Sequence, residues 1–388
     1  MCLAYRKAAP ILNKESQKLF GTIDGINLYN TSTTGVKKHE LDKIDDGDYS
    51  MERNKCISCT CQDGVKPMTK EELDAERSLD WVLVKKFTMK IFSMDFTRFS
   101  FPVGYSEPRS FLERTSDLFS FLATNYLEKA VNADSKEDRL LNVSMGIVSG
   151  FQLYMQSKKP WNPVLGETYY GQWPNGVTIY GEQISHHPPI SCFQIFGEGW
   201  KCSATCKFTI LSGIFEIDIV QGGIFSLEFE DNDEKTKIEW EFPTIAVLGI
   251  LRGDRIVRIQ GPLVVKDLTN DVVCSLDIYP KNDRRKGISN SRATTVYGGI
   301  KSSQNNDYSI TIKGDYCDTV EANGQEVFNI KTDFASRPKH EIDEVYLLPS
   351  DSRFRFDRAL LLEKRMNEAD EAKNLIEEMQ RREEKLRL

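Results

Sequence analysis

Histidine is scarce in this sequence, and the common catalytic motifs are missing. The chain contains only four histidines, and it has no H-E-x-x-H zinc pattern, G-x-S-x-G elbow, Walker loop or Rossmann glycine fingerprint. The common hydrolase, nucleotide and dinucleotide chemistries therefore lack their usual sequence support. Positive charge is also short: 51 Lys and Arg against 58 Asp and Glu give a formal charge of −7. Nucleic-acid binding needs a basic face, so it is not expected. Docking to anionic membranes by bulk charge is disfavoured for the same reason, and any phosphate site must be a local pocket. Long apolar runs are missing as well. The longest, near 244–251, falls far short of the roughly 20 residues that a bilayer requires. The opening MCLAYRKAAP lacks the apolar core of a secretory signal, so a cytoplasmic protein is the expectation.

What remains is an ordinary globular balance, 40% hydrophobic and 28% charged over 388 residues. The nine cysteines are irregularly spaced, and reduced thiols are the default in this setting. Residues 1–78 are polar and weakly patterned, which predicts an irregular, partly helical N-terminal extension. Within it Cys56, Cys59 and Cys61 form C-x-x-C-x-C, with His39 as a conceivable fourth ligand. Zinc wants four ligands and no second cysteine pair follows, so no metal site is expected.

From Trp81 the pattern strengthens. Ser110-x-x-Glu113 after Pro108 reads as a capping box, and Phe111, Leu118, Leu122 and Tyr126 follow at helical spacing. A second helix is predicted over 138–155, with Leu140, Ile147 and Phe151 on its apolar side. Beyond Pro160 the period becomes two: Phe215, Ile217 and Ile219 alternate with Glu216 and Asp218. Ile238, Trp240 and Phe242 alternate likewise, as do Tyr308, Ile310 and Ile312. Turn signals such as Gly222-Gly223 and Asn270-Asp271 separate these runs. The expected fold class is therefore α+β dominated by antiparallel strands, a meander closing into a near-complete β-barrel, with two helices before it. Residues 357–388 have neither Gly nor Pro and predict one long charged C-terminal helix.

Three segments carry candidate chemistry. In E-Q-I-S-H-H-P-P, at 182–189, His186 and His187 follow an expected strand over 178–180. Pro188 holds His187 extended, and alternation along such a chain aims the two imidazoles differently. Either could face a ligand or belong to the core; taken alone, the pair reads as structural. Glu182 with these histidines also leaves open a lipid-modifying hydrolase on residue types alone. In K-P-W-N-P-V-L-G-E, at 159–167, a rigid turn can fix Lys159 and Asn162 toward a phosphate, or simply close a barrel. On the terminal helix Lys373, Glu377 and Arg381 share one face at i, i+4, i+8. They make either solvated ion pairs or an anion site held in register by Glu377.

Together these segments resemble the oxysterol-binding-protein-related lipid transfer family. E-Q-I-S-H-H-P-P is similar to that family's E-Q-V-S-H-H-P-P, K-P-W-N-P-V-L-G-E to its K-P-x-N-P-x-L-G-E, and D-S-R-F-R at 351–355 to its D-S-R-[FL]-R. The resemblance covers roughly 80–388, so a lipid-binding domain over 79–388 is the expectation. It implies a non-enzymatic lipid carrier, without cofactor, whose barrel encloses a hydrophobic tunnel behind an N-terminal lid. The implied ligands are phosphatidylinositol 4-phosphate and a sterol or other lipid, taken from transiently contacted membranes, by a protein that is expected to be a monomer. A sensor that holds lipid without shuttling it is the alternative. The implied head-group residues are Lys159, Asn162, His186, His187, Lys373 and Arg381, with Glu377 in support. The lid maps to 81–102, where Asp95-Phe96-Thr97 replaces D-L-S; Phe96 and Thr97 are its candidates. Departures are Phe356 in place of a proline, and a shortened Phe334-Ala335-Ser336-Arg337-Pro338 stretch.

Overall fold

The computed structural model describes residues 49–69, 71–73, 103–156, 158–186, 188–212, 216–231, 234–249, 254–279, 292–305, 307–338, 348 and 350–387. His39, the lid stretch 81–102 with Phe96 and Thr97, and His187 lie outside the described residues.

The described chain starts with helix α1 (Ser50–Cys59) and the two-residue hairpin strands β1 (Thr60–Cys61) and β2 (Gly64–Val65). The helix agrees with a partly helical reading of this polar stretch, of which 49–69 and 71–73 are described. Tyr49, Cys56 and Val65 are buried in the main core, and Val65 pairs with Val257 of the sheet. The strap buries only a few side chains fully, and most of the others are half-buried, so its polar residues keep contact with solvent.

Strand β3 (Ser106–Ser110) leads into α2 (Phe111–Leu118), and the capping box is present: Ser110 Oγ accepts from Leu112 N at 3.4 Å and Glu113 Oε1 from Ser110 N at 3.4 Å. Such a cap stabilises a helix start by about 1 kcal/mol. The apolar period expected to run on to Tyr126 instead passes through a π-helical turn, Leu122–Tyr126, into α3 (Leu127–Val131). The second predicted helix is α4 (Lys136–Ser149), capped by Ser135 and finished by a 3-10 turn, Gly150–Tyr154.

After β4 (Lys159–Trp161), which pairs in parallel with β3, the antiparallel meander begins. Its strands are β5 (Thr168–Gln172), β6 (Thr178–His186), β7 (Pro189–Gly197), β8 (Trp200–Ser212), β9 (Glu216–Gly222), β10 (Phe225–Asp231) and β11 (Glu234–Trp240). It continues through β12 (Thr244–Leu248), β13 (Ile256–Asp267), β14 (Val272–Ile278), β15 (Thr295–Ser302), β16 (Ile310–Asp315), β17 (Thr319–Ala322) and β18 (Gln325–Asn329). Among the described residues these form one sheet, with β18 at one end of the order and β5 at the other. It is a barrel-like antiparallel fold, as the period-two runs predict. Alternation holds where one face packs, as at Ile238 and Trp240, which are buried on β11. It fails on β9, whose residues are half-buried apart from Gln221.

The C-terminal part corrects the single-helix expectation. A helix α5 (Phe356–Leu362) stops, and α6 (Met366–Arg387) starts anew. Lys364 adopts φ +61°, donating its N–H to Leu361 O at 3.0 Å while Arg365 N donates to Leu360 O at 2.9 Å. That is a Schellman stop with lysine where glycine is usual, so the sequence offers no glycine to announce it. Phe356 opens α5 without a side-chain cap on Arg355.

Candidate functional site

The three sequence motifs meet at one rim of the sheet, and backbone pairing brings them there. In the second motif Gly166 takes φ +79°, a conformation suited to glycine. Its N–H donates to Gln183 O at 2.8 Å, and Gln183 N donates to Glu167 O at 2.9 Å. The turn is therefore stitched to β6 three residues before His186. The third motif lies along β5, the neighbour of β6 that continues from the second motif. Thr168 bridges to Asp351, Ser352 Oγ donates to Thr168 O at 3.3 Å, and buried Arg353 donates to Tyr170 O.

The fingerprint on β6 is not a regular strand. Register with β7 slips between Gln183 and Ser185, so that Ser185 faces Ile190 and His186 faces Pro189. Gln183 fixes this bulge: its Nε2 donates to Ser185 O at 2.6 Å and its Oε1 accepts from Ser191 Oγ. Ile184, 48% exposed, still follows the alternation of Tyr180 and Glu182; beyond it the alternation ends, and Ser185 and His186 are both half-buried. Gln183 and the bulge were not legible as site features; a glutamine within an apolar strand was the available signal.

Trp161 anchors the second motif. It is 1% exposed and packs in a small core with Val103, Leu360, Ala369 and Ala372, which seats α6 against β4. Lys159 and Trp161, two residues apart on a strand, share a face, and Ala369 and Lys373 share one on the helix at i, i+4. Lys159 Nζ donates to Asn162 Oδ1 at 2.8 Å. Lys373 is buried at 7% exposure and pairs with Glu377 Oε1 at 3.0 Å, while Arg381, largely exposed, approaches Glu377 Oε2 only to 3.9 Å. Burial pushes the Lys159 ammonium down to about 7, and the neighbouring Lys373 charge adds to the shift, with Glu377 opposing it. Contacts join Lys159 to Asn162 and Lys373 to Glu377, and the charges of Lys373 and Glu377 both act on Lys159, so the two pairs are neighbours. His186 ends β6, three residues after the Gln183 backbone that holds the second motif, and Arg381 lies a turn beyond Glu377 on α6.

Arg355 is a member that motif reading did not assign to the site. Its Nη1 donates to Asn162 O at 2.7 Å and to Glu167 Oε2 at 3.0 Å, and Asp357 takes its other face at 2.7 Å. Its guanidinium lies 5.2 Å from the Trp161 ring centre. Glu167 also accepts from Ser110 Oγ at 2.5 Å, which continues the network to the capping box. Glu113 there pairs with fully buried Arg358 at 2.7 Å. No group of three potential metal ligands occurs among the described residues; Cys56 turns into the core, away from any shared site with Cys59 and Cys61.

A model of the oxysterol-binding protein family matches residues 83–341. The chain belongs to that family. Oxysterol-binding protein 10 of Dictyostelium discoideum is 29% identical over 322 residues, covering 77% of this chain and 76% of the relative. Oxysterol-binding protein 9 of the same organism is 33% identical over 213 residues. That match covers 54% of this chain and spans about half of the relative's length, 49%. The fold is similar to that of the Osh3 ORD of Saccharomyces cerevisiae, solved in complex with PI(4)P, at a TM-score of 0.65 and 21% identity. That alignment covers 84% of this chain and 86% of the other. The Osh1 ORD in complex with ergosterol also gives 0.65, at 20% identity, covering 87% and 88%. No described helix is long and apolar enough to cross a membrane.

Proposed function

We propose that this oxysterol-binding family member carries lipids unchanged, exchanging phosphatidylinositol 4-phosphate for a sterol or another lipid between membranes that it contacts transiently. The observation that carries the reading is the cationic group at the rim. Lys159 and Lys373 stand close enough for one charge to depress the ionisation of the other, with Glu377 as their shared carboxylate. A phosphomonoester, at roughly −1.5 to −2 charges near neutral pH, would balance that group without a basic protein. In this reading Lys159, Asn162, Lys373 and Arg381 bind the head group together with His186 and His187, and Glu377 keeps the helix cations in register. Arg355 holds the backbone of Asn162 and so positions the second motif. The lipid chains occupy the interior of the barrel behind a lid at 81–102. The ligands in the Osh3 and Osh1 ORD complexes support both halves of the exchange.

Extraction of phosphatidylinositol 4-phosphate from liposomes tests the site. The wild type removes it from donor vesicles and delivers it, chemically intact, to acceptors. His186→Ala/His187→Ala is expected to lose extraction; equal extraction by the double variant refutes the site. Release of a cleaved lipid product would refute the non-enzymatic reading, and binding without delivery would make the protein a sensor.

A further inference from the structure

The strap at 49–65 carries chemistry that the lipid site does not use. Cys56, on α1, and Cys317, in the turn between β16 and β17, are 261 positions apart in sequence, yet their Sγ atoms are 3.1 Å from each other. Both are buried, at 2% and 5% exposure, and both are free thiols. A disulfide holds its sulfurs at about 2.05 Å, so the pair needs to close by only about 1 Å.

Each partner is held independently. Tyr49 Oη, at the start of α1, donates to Asp117 Oδ1 at 2.8 Å and lies 3.1 Å from Ser120 Oγ. Glu52 pairs with Arg337, and the Arg53 guanidinium lies 4.3 Å from the Phe334 ring centre. After the helix, Val65 pairs with Val257 and Lys66 with Asp254 at 2.5 Å. Opposite, Cys317 N donates to Asp315 Oδ1 at 2.8 Å, and the buried Tyr316 hydroxyl accepts from Ile259 N at 3.4 Å. The two sulfurs therefore meet because both backbones are fixed, and the cysteines at 59 and 61 are only half-buried. The family match begins at residue 83, so it includes Cys317 but not Cys56.

We propose that Cys56 and Cys317 are a modification site: they form an intramolecular disulfide that latches the N-terminal strap to the barrel when the protein meets a small-molecule disulfide such as oxidised glutathione. One protein thiolate attacks oxidised glutathione, forming a mixed disulfide and releasing one glutathione. The second protein thiolate then attacks the protein-bound sulfur, forms the Sγ–Sγ bond and releases a second glutathione. Two protein thiols are oxidised, one oxidised glutathione is reduced, and the two thiol protons end on the released glutathiones. Burial holds the Cys317 thiol well above its ordinary range, so the reaction waits for the strap to lift. Once closed, the bond ties a loop that spans most of the chain and restricts the unfolded state.

Incubating the full chain with oxidised glutathione, then mapping peptides without reduction, tests the latch. The expected result is a peptide containing Cys56 linked to one containing Cys317, with a denaturation midpoint that rises on oxidation and returns with dithiothreitol. Cys59→Ser keeps both effects, and Cys317→Ser loses both. A wild type that stays reduced under these conditions, or one linking Cys56 to Cys59 or Cys61, overturns the proposal. The wild-type peptide map decides even if Cys317→Ser fails to fold.

Discussion

Two charged regions lie side by side in this protein, and their bookkeeping differs. Around α2, Arg109, Arg114 and Arg358 face Glu107, Glu113 and Asp117, with ion pairs such as Arg109–Asp117 at 2.6 Å and Arg358–Glu113 at 2.7 Å. Most of these side chains are almost wholly buried, and each cation has a carboxylate from the protein itself. At the rim, Lys159, Lys373 and Arg381 gather around Glu377. Arg355 belongs to the first region by its own pairs with Glu167 and Asp357, yet it reaches the second through the Asn162 carbonyl. The same residue types thus do two jobs. Where charges pair internally they fix where elements dock; in the proposed function the rim cations also meet the phosphate of a ligand.

The largest effect is expected from breaking the balanced region. Glu113→Gln leaves Arg358 buried without its carboxylate and removes half of the capping box. A stability loss of about 3–5 kcal/mol is expected in urea denaturation. Replacing both partners, as in Glu113→Leu/Arg358→Met, should cost less than that single change, because no buried charge is stranded. Equal losses would mean that the ion pair is not what holds α2 and α5 together.

The rim should respond in the opposite way. Lys373→Ala is expected to weaken head-group binding by about 1.5–3 kcal/mol, roughly tenfold or more, in vesicle titrations. Its denaturation midpoint should move far less than that of Glu113→Gln. Next comes pH. Lys159 has its folded ionisation depressed to about 7, so above that value the unliganded protein lacks a charge that the unfolded chain retains up to about 10. Stability from this group is therefore gained as pH rises from about 7 to 10. Phosphate binding must instead restore the proton, so affinity should fall above pH 7, by at most about tenfold per unit. Lys159→Gln should flatten that profile; an unchanged profile would remove Lys159 from the site. The smallest effect belongs to Arg381→Ala. Its side chain is exposed and 3.9 Å from Glu377, so a loss of about 0.2–1 kcal/mol in binding is expected.

Much of the fold was legible because its signals are local. The Ser110 box, the α4 region and the alternation at Ile238 and Trp240 follow from periods and caps that need no partner. The π-helical turn at 122–126 and the stop at Lys364 were not legible, since neither carries a glycine or proline and both depend on how the flanking helices pack. The site was legible as motifs but not as a geometry. Nothing in K-P-W-N-P-V-L-G-E says that Trp161 will seat α6, or that Glu167 will bind Arg355 across 188 positions. How the strap packs was not legible, because a few fully buried side chains in a polar stretch leave no period to read.

The barrel class, the family resemblance and the polar residue types in the motifs are readable from the chain alone, because alternation, turn chemistry and contiguous motifs are written residue by residue. What only packing settles is which carboxylate each buried arginine takes, where the register of β6 slips, and that Cys56 meets Cys317. Those depend on charges and sulfurs brought together from distant segments, and their energies are set by burial and partner, which one-dimensional spacing does not encode.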